Sequence, residues 1–314
     1  MDARSSYVCN LTPAQAAALR DYLAQHGFEF RSAPHAEFAA QQPGLSLAYY
    51  TSGKLVVQGK GTREFVEFVL EPLILKEARL GYETVLNPEL LQPRIGVDES
   101  GKGDFFGPLC VAAVYVNSAV VKAWQQSDIR DSKQIHSVAK LHELARLIRK
   151  TPGCVCALVT IGNEAYNRLH AKLGNVNSVL AWAHARAIEN LLAQQDRLDP
   201  APVRAISDQF AANPETLRSA MMRLGRQIEL VQKHRAETDL AVAAASILAR
   251  AEFLRRLALL EKQFGVALPR GASAAVEAAA REFVAKHGAD ALPKVAKMHF
   301  RTAARVCDAG PGSG

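Results

Sequence analysis

Apolar and polar positions along the chain fall into two blocks with different rhythms. Residues 11–27 (LTPAQAAALRDYLAQHG) carry apolar side chains at helical spacing. Thr12 is placed to cap that helix, Pro13 sits in its first turn, and Gly27 closes it. Three short alternating segments follow, GFEFRSA (27–33), LSLAYYT (45–51) and KLVVQGK (54–60), split by Gly and Ser. They predict strands of an antiparallel sheet. TREFVEFVLEPLILKEARLG (62–81) returns to helical spacing. The result is a small α+β unit ending near residue 80, with GYETVLNPELLQPR (81–94) as a linker.

Beyond the linker, apolar runs alternate with helical patterns of ten or more residues. Strands are predicted at RIGVDESG (94–101), PLCVAAVYV (108–116), CVCALVTIG (154–162), VRAISDQF (203–210) and QIELVQK (227–233). Helices are predicted near 133–150, 175–195, 240–262 and 272–287, and the tail CDAGPGSG (307–314) reads as frayed. This is the pattern of a layered α/β domain with a mixed sheet.

Composition adds limits. Of the 314 residues, 49% are hydrophobic and 22% charged, enough apolar material for a sizeable core. No apolar run approaches the ~18 residues that span a bilayer, so no membrane role is expected. The first residues have no basic stretch leading into an apolar one, and the five cysteines have no metal-ligand spacing. Both point to a reduced, cytoplasmic chain. Cys154 and Cys156 alternate within a strand and read as core. The net charge of +7 is unevenly placed: residues 1–88 hold 8 basic against 9 acidic residues, leaving 30 against 22 for 89–314. A basic excess confined to the second block suits a polyanion such as nucleic acid.

Acidic residues at strand ends supply the candidate chemistry. Asp98 and Glu99 end the apolar run IGV, and Asp208 ends VRAIS. If those strands are neighbours, the carboxylates emerge at one edge, where they repel unless divalent cations join them. Hard oxygen ligands suit Mg²⁺ or Mn²⁺, and a pair of such ions suits phosphodiester hydrolysis. The other reading of Asp98–Glu99 is an ordinary surface turn. Gly101-Lys102-Gly103 sets flexible backbone N–H groups and a cation beside the carboxylates. It is no nucleotide-binding loop, since GxxxxGK[ST] is absent.

Several of these segments together resemble a known family. IGVDESGKGDFFGPLCVAAVYV (95–116) is similar to the signature of bacterial ribonuclease HIII. Asp131-Ser132-Lys133, YNRLHAKLGNVNSVLAWAHARAIENLL (166–192), SDQF (207–210), HRAETDLAVAAASILAR (234–250) and MHFRT (298–302) match in the same order. The resemblance covers about 93–305. It implies an α/β fold, with an RNase H-like mixed-sheet catalytic domain (86–314) preceded by a small α+β domain (1–85) shaped like half of a TATA-box-binding protein. It also implies a monomeric endonuclease that cuts the RNA strand of RNA–DNA hybrids with two divalent ions held by four carboxylates. The alternative activity is that of the sibling ribonuclease HII family, cleavage at single ribonucleotides embedded in duplex DNA.

Asp98, Glu99 and Asp208 fall on three of the four ligand positions. The fourth departs from the pattern: ten residues before Ser246 stands Ala236, flanked by Glu237 and Asp239. Asp239 is also placed to cap the following helix. Asn caps about as well as Asp, so Asp239→Asn is expected to be mild, and Glu237 is the favoured ligand. The resemblance puts Gly101, Lys102 and Gly103 against the RNA strand, where backbone groups can read 2′-hydroxyls. Ser132 and Lys133 are candidates for the substrate phosphates, with a solvated lysine as the other reading. Asn175 and Asn177 either reach the cleft or cap a helix. In the first block, Tyr49, Tyr50, Lys54 and Lys60 lie on or beside two strands, where aromatics and lysines can hold a nucleic-acid backbone. His299 and Phe300 either stack near substrate or pack, and Trp124 and Trp182 read as packing residues.

Overall fold

Alternation builds the first sheet. In this computed structural model, which describes residues 6–76, 88–124, 127–129, 135, 137–234 and 236–307, Leu45, Leu47 and Tyr49 point inward from strand β4 (Leu45–Tyr50). Leu55 and Val57 do the same from β5 (Lys54–Gln58). With β1 (Ser6–Asn10), β2 (Glu29–Arg31) and β3 (Ala36–Gln42) they form an antiparallel sheet in the order β1-β5-β4-β3-β2. Helix α1 (Pro13–Gln25) lays Ala16, Leu19 and Leu23 into the same core. Thr12 caps it as the sequence predicts: its hydroxyl accepts from the Gln15 amide at 3.3 Å, and the Gln15 side chain accepts from the Thr12 amide at 2.9 Å. The apolar run from Thr62 is helical through α2 (Thr62–Phe65) and then wide π turns through Val66–Leu75. The strands β1 and β3 carry no alternation strong enough to be predicted.

The chain divides into two compact units, Met1–Leu90 and Leu91–Gly314. The second holds a mixed sheet in the order β10-β9-β6-β7-β8. Strand β7 (Leu109–Val116) runs antiparallel to both its neighbours, β6 (Arg94–Ser100) and β8 (Val155–Ile161), whereas β6, β9 (Arg204–Asp208) and β10 (Glu229–Lys233) are mutually parallel. Helices cover both faces, as the long apolar strands require. On one face α6 (Val176–Leu192) buries Val179, Ala183 and Ile188 against Ile95, Val97 and Val111. On the other, α8 (Leu240–Phe264) and α4 (Val138–Lys150) pack over Ala112, Val114 and Val116. Gly96 sets how closely α8 meets β6, since a Cβ there would lie 2.1 Å from the Ala241 carbonyl carbon.

The remaining helices are α3 (Ser118–Trp124), α5 (Asn163–Leu173), α7 (Glu215–Ala220), α9 (Ala274–His287) and α10 (Arg301–Cys307). The short α3 and α7, and α5, were not anticipated. Phe105, Phe106, Phe253, Phe283 and Leu292 form a separate apolar cluster under the loop that follows β6. Trp124 is buried, with Nε1 donating to Thr151 Oγ1 at 2.9 Å. Cys154 and Cys156 share a face with sulfurs 3.7 Å apart, and all five cysteines are free thiols. Among the described residues no helix is long and apolar enough to cross a membrane.

Candidate active site

Three parallel strands end at one edge of the second sheet. Val97 pairs with Ser207, so Asp98 and Asp208, the next residue in each strand, emerge side by side. Lys233 of β10 pairs with Asp208, and the chain then turns back past that carboxylate. The Ala236 amide donates to Asp208 Oδ1 at 3.0 Å, which brings the short turn Ala236–Thr238, with Glu237 in it, beside Asp208.

Asp98 and Glu99 are consecutive on a strand, so they face opposite sides of the sheet. Asp98 accepts the Glu99 amide at 2.8 Å and a hydrogen bond from the Ser246 hydroxyl of α8. Burial, then the neighbouring Glu99 charge, push its carboxyl up to about 7. Glu99 meets α6 instead. His184 Nε2 lies 3.0 Å from Glu99 Oε2, and Lys102 Nζ is 3.9 Å from Oε1. Burial works to raise Glu99, but the His184 hydrogen bond and charge, with Lys102 behind them, hold it below the usual carboxylate value.

His184 was missed in the sequence. It is fully buried, and its Nδ1 lies 3.0 Å from the Ser207 hydroxyl. A carboxylate accepts only, so Nε2 donates to Glu99, while the Ser207 hydroxyl beside Nδ1 gives its own proton to the Asp208 carbonyl at 3.1 Å. One imidazole thereby ties Glu99 to the residue before Asp208. The available signal was a histidine inside AWAHARA, an otherwise apolar helix segment, because a buried imidazole needs polar partners. Phe210 packs on the same ring at 4.9 Å, and Lys102 Nζ lies 5.9 Å from the Phe210 ring.

The loop after β6 is held tightly. Gly101 is buried with φ +97°, and a Cβ there would lie 2.2 Å from the Pro108 carbonyl oxygen, so only glycine fits. Gly103 is exposed and Lys102 half-buried. Asp239 is not at the open edge. It caps α8, with Oδ1 accepting the Ala241 amide at 2.8 Å, while Oδ2 takes Arg94 Nε at 2.7 Å. Both side chains are buried. The cap agrees with expectation, and the ion pair with Arg94, whose Nη1 also donates to the Gln92 carbonyl at 3.0 Å, gives Asp239 a second structural contact and argues for a larger stability cost from Asp239→Asn than capping alone.

Other candidates lie elsewhere. Asn175 caps α6, accepting the Ser178 amide at 2.9 Å; it and Asn177 are exposed. Ser132 and Lys133 lie outside the described residues. Tyr49 is corrected: it is 4% exposed and packs on Phe38, so its ring belongs to the first unit's core and cannot stack on a base. The parity of β4 turns Tyr50 outward instead, and Lys54 and Lys60 are exposed. His299 stacks on His170 at 4.6 Å, and Phe300 meets the edge of Phe105.

Among the described residues no three His, Cys, Asp or Glu side chains are grouped closely enough to hold a metal ion between them. The donor set still fits divalent cations. Burial and the Glu99 charge keep Asp98 from ionising at its usual value, a penalty that a cation would relieve. Mg²⁺ binds through few carboxylates and with several water or substrate oxygens.

Residues 95–303 match the family model described as Ribonuclease HII, and residues 6–77 match one described as a Domain of unknown function (DUF3378). Ribonuclease HIII of Chlamydia pneumoniae is 45% identical over 306 residues, covering 96% of this chain and 98% of that relative. The chain belongs to the ribonuclease HIII family. Ribonuclease HIII of Chlamydia trachomatis serovar L2 is 46% identical over 308 residues, 98% of this chain and 99% of that one. The crystal structure of Bst-RNase HIII in complex with Mn²⁺ is similar with a TM-score of 0.66 at 29% identity, covering 97% and 98% of the two chains. Membership in the ribonuclease HIII family makes the protein a ribonuclease H enzyme.

Proposed function

We propose that the protein hydrolyses the RNA strand of RNA–DNA hybrids by a two-metal-ion mechanism, leaving 5′-phosphate and 3′-hydroxyl ends, as a monomer in the cytoplasm. The observation that carries this reading is the convergence of Asp98, Glu99, Asp208 and the turn bearing Glu237 at the ends of three parallel strands, next to Gly101–Gly103. Those four carboxylates would hold two Mg²⁺ or Mn²⁺ ions, which when bound activate a water and stabilise the leaving oxygen. The Mn²⁺ bound in the Bst-RNase HIII structure supports the choice of ion.

The chain's own residues do the rest. His184 and Lys102 keep Glu99 ionised, and Asp98 gives up its proton as positive charge arrives. Lys102 is half-exposed beside Glu99, within reach of a phosphate. The backbone of Gly101–Gly103 approaches the sugar edge, where the 2′-hydroxyl separates RNA from DNA. Outside this edge, Tyr50, Lys54 and Lys60 give the first unit a surface that can hold a nucleic-acid backbone.

The test uses two labelled substrates, a continuous hybrid and a DNA duplex with one embedded ribonucleotide, with Mg²⁺, Mn²⁺ or EDTA. Efficient metal-dependent cutting of the hybrid, with product 5′ ends that accept a label only after phosphatase treatment, is expected. Cleavage confined to the single ribonucleotide would make the protein ribonuclease HII-like in activity.

A further inference from the structure

Lys297 is a fully buried lysine that plays no part in the acidic edge. Its Nζ donates to two main-chain carbonyls of one loop, Asp104 at 2.8 Å and Gly107 at 2.6 Å. The Lys297 amide donates to the Phe105 carbonyl at 2.9 Å, the Gly107 amide donates to the Val295 carbonyl at 2.9 Å, and Phe106 bridges Ala296 in antiparallel fashion. Asn163 Nδ2 donates at 2.8 Å to the same Gly107 carbonyl. The Tyr166 ring stands 5.7 Å from Nζ. The far side of the loop is tied as well, since Asp104 Oδ1 accepts the Gly271 amide at 2.7 Å.

A buried ammonium is a costly way to fill this space. Burial pushes Lys297 down to about 7, against the pull of the Asp104 charge. An apolar side chain of similar length would pack there without that penalty. What it could not do is hold two carbonyls three residues apart in fixed orientations. Those carbonyls lie just beyond Gly101–Gly103, and the same loop must hold Gly101 in a backbone conformation that other residues rarely adopt. The charge is therefore spent on the shape of the loop.

We propose that Lys297 is a positioning residue that fixes the Gly101–Gly107 loop in the shape that recognises the ribose-bearing strand, and so sets affinity and selectivity for it. The inference rests on the reading above that this loop faces RNA. Lys297 touches neither the acidic edge nor substrate; it acts through the main chain of Asp104 and Gly107.

The experiment compares the full-length wild type with K297M and K297Q. It reads the thermal midpoint, Mn²⁺ affinity by calorimetry, kcat and KM on a continuous hybrid, and the ratio of hybrid to DNA-duplex binding in Ca²⁺. For K297M we expect KM to rise roughly tenfold or more, as suits the loss of charge-assisted bonds. The hybrid preference should shrink with it, while Mn²⁺ affinity and kcat change by no more than about threefold, since Asp98, Glu99 and Asp208 sit on strands β6 and β9 and Glu99 keeps His184. K297Q, which keeps a neutral donor, should fall between. An unchanged KM and hybrid preference in folded K297M overturns the proposal. So does failure of both variants to fold, because Lys297 is then a structural prop. A wild type that binds hybrid no better than DNA duplex instead removes the reading of the loop as an RNA reader, whatever the variants do.

Discussion

Asp239→Asn and Glu237→Gln test the proposal that Asp239 is a structural carboxylate and Glu237 a metal-binding one. The Arg94 and Asp239 side chains are 3% and 6% exposed and 2.7 Å apart. Asn can still accept the Ala241 amide, so the cap costs little. Removing one charge of a buried ion pair costs up to ~3–5 kcal/mol, and Arg94 keeps its other contacts, among them Nη1 to the Gln92 carbonyl at 3.0 Å. In a unit of over two hundred residues each kcal/mol moves the midpoint by roughly 2–4 °C, so a drop of up to about 6–20 °C is expected. Adding Arg94→Met should restore most of that loss, since a buried pair replaced by apolar groups is close to neutral. Glu237→Gln is isosteric and lies in a half-exposed turn. Its midpoint should move by no more than about 2 °C, in line with the ~0.5 kcal/mol of surface changes. Its metal-dependent cleavage should fall by orders of magnitude. Differential scanning calorimetry with a hybrid cleavage assay reads both. An Asp239→Asn protein that melts like the wild type yet has lost cleavage would refute the reasoning, and Asp239 would be the fourth ligand.

Asp98→Asn should abolish cleavage while hybrid binding, followed by fluorescence anisotropy in Ca²⁺, stays within a few-fold of the wild type. Because Asp98 is pushed up to about 7, ion binding at lower pH must displace a proton. Calorimetric Mn²⁺ affinity should therefore rise by up to about tenfold per pH unit between pH 5.5 and 7 and flatten above; a flat profile shows that Asp98 is already ionised without metal. His184→Leu should weaken Mn²⁺ activation by about 10–100-fold, the usual cost of losing a ligand's supporting partner. Deleting residues 1–80 should raise KM for the hybrid more than it lowers kcat, and steady-state kinetics showing the reverse would take substrate binding away from the first unit.

Much of the catalytic sheet was legible because its strands are continuous apolar runs closed by charge. IGV before Asp98–Glu99 and VRAIS before Asp208 place acids at strand ends, and parallel pairing brings those ends to one edge. The cap at Asp239 was legible because capping is local. What stayed hidden was decided at a distance. His184 acquires its role from Glu99, 85 positions away, and Lys297 from Gly107, 190 positions away. The Arg94–Asp239 pair spans 145 positions, so a reading of the α8 N-terminus alone found the cap and not the ion pair. Tyr49 was misassigned by one residue of parity. Its strand was correctly placed, and the alternation of LSLAYY already sets Tyr49 on the inward face with Leu45 and Leu47 and Tyr50 on the other.

The two leading carboxylates are best understood as belonging to different layers of the protein. Because Asp98 and Glu99 are adjacent on β6, one is served by α8 through Ser246 and the other by α6 through His184. Their environments then push them apart, Asp98 upward and Glu99 downward. A pair split in this way can supply one ligand ionised throughout the neutral range and one whose ionisation near pH 7 a nearby cation would favour. That division limits the repulsion stored in the metal-free fold, where two ionised carboxylates on neighbouring residues would otherwise face burial together. It also explains why the close approach at Gly96 matters to chemistry: a side chain there would lift the start of α8 from β6 and carry Ser246 away with it. The acidic edge therefore depends on the packing of both helical layers against a single strand.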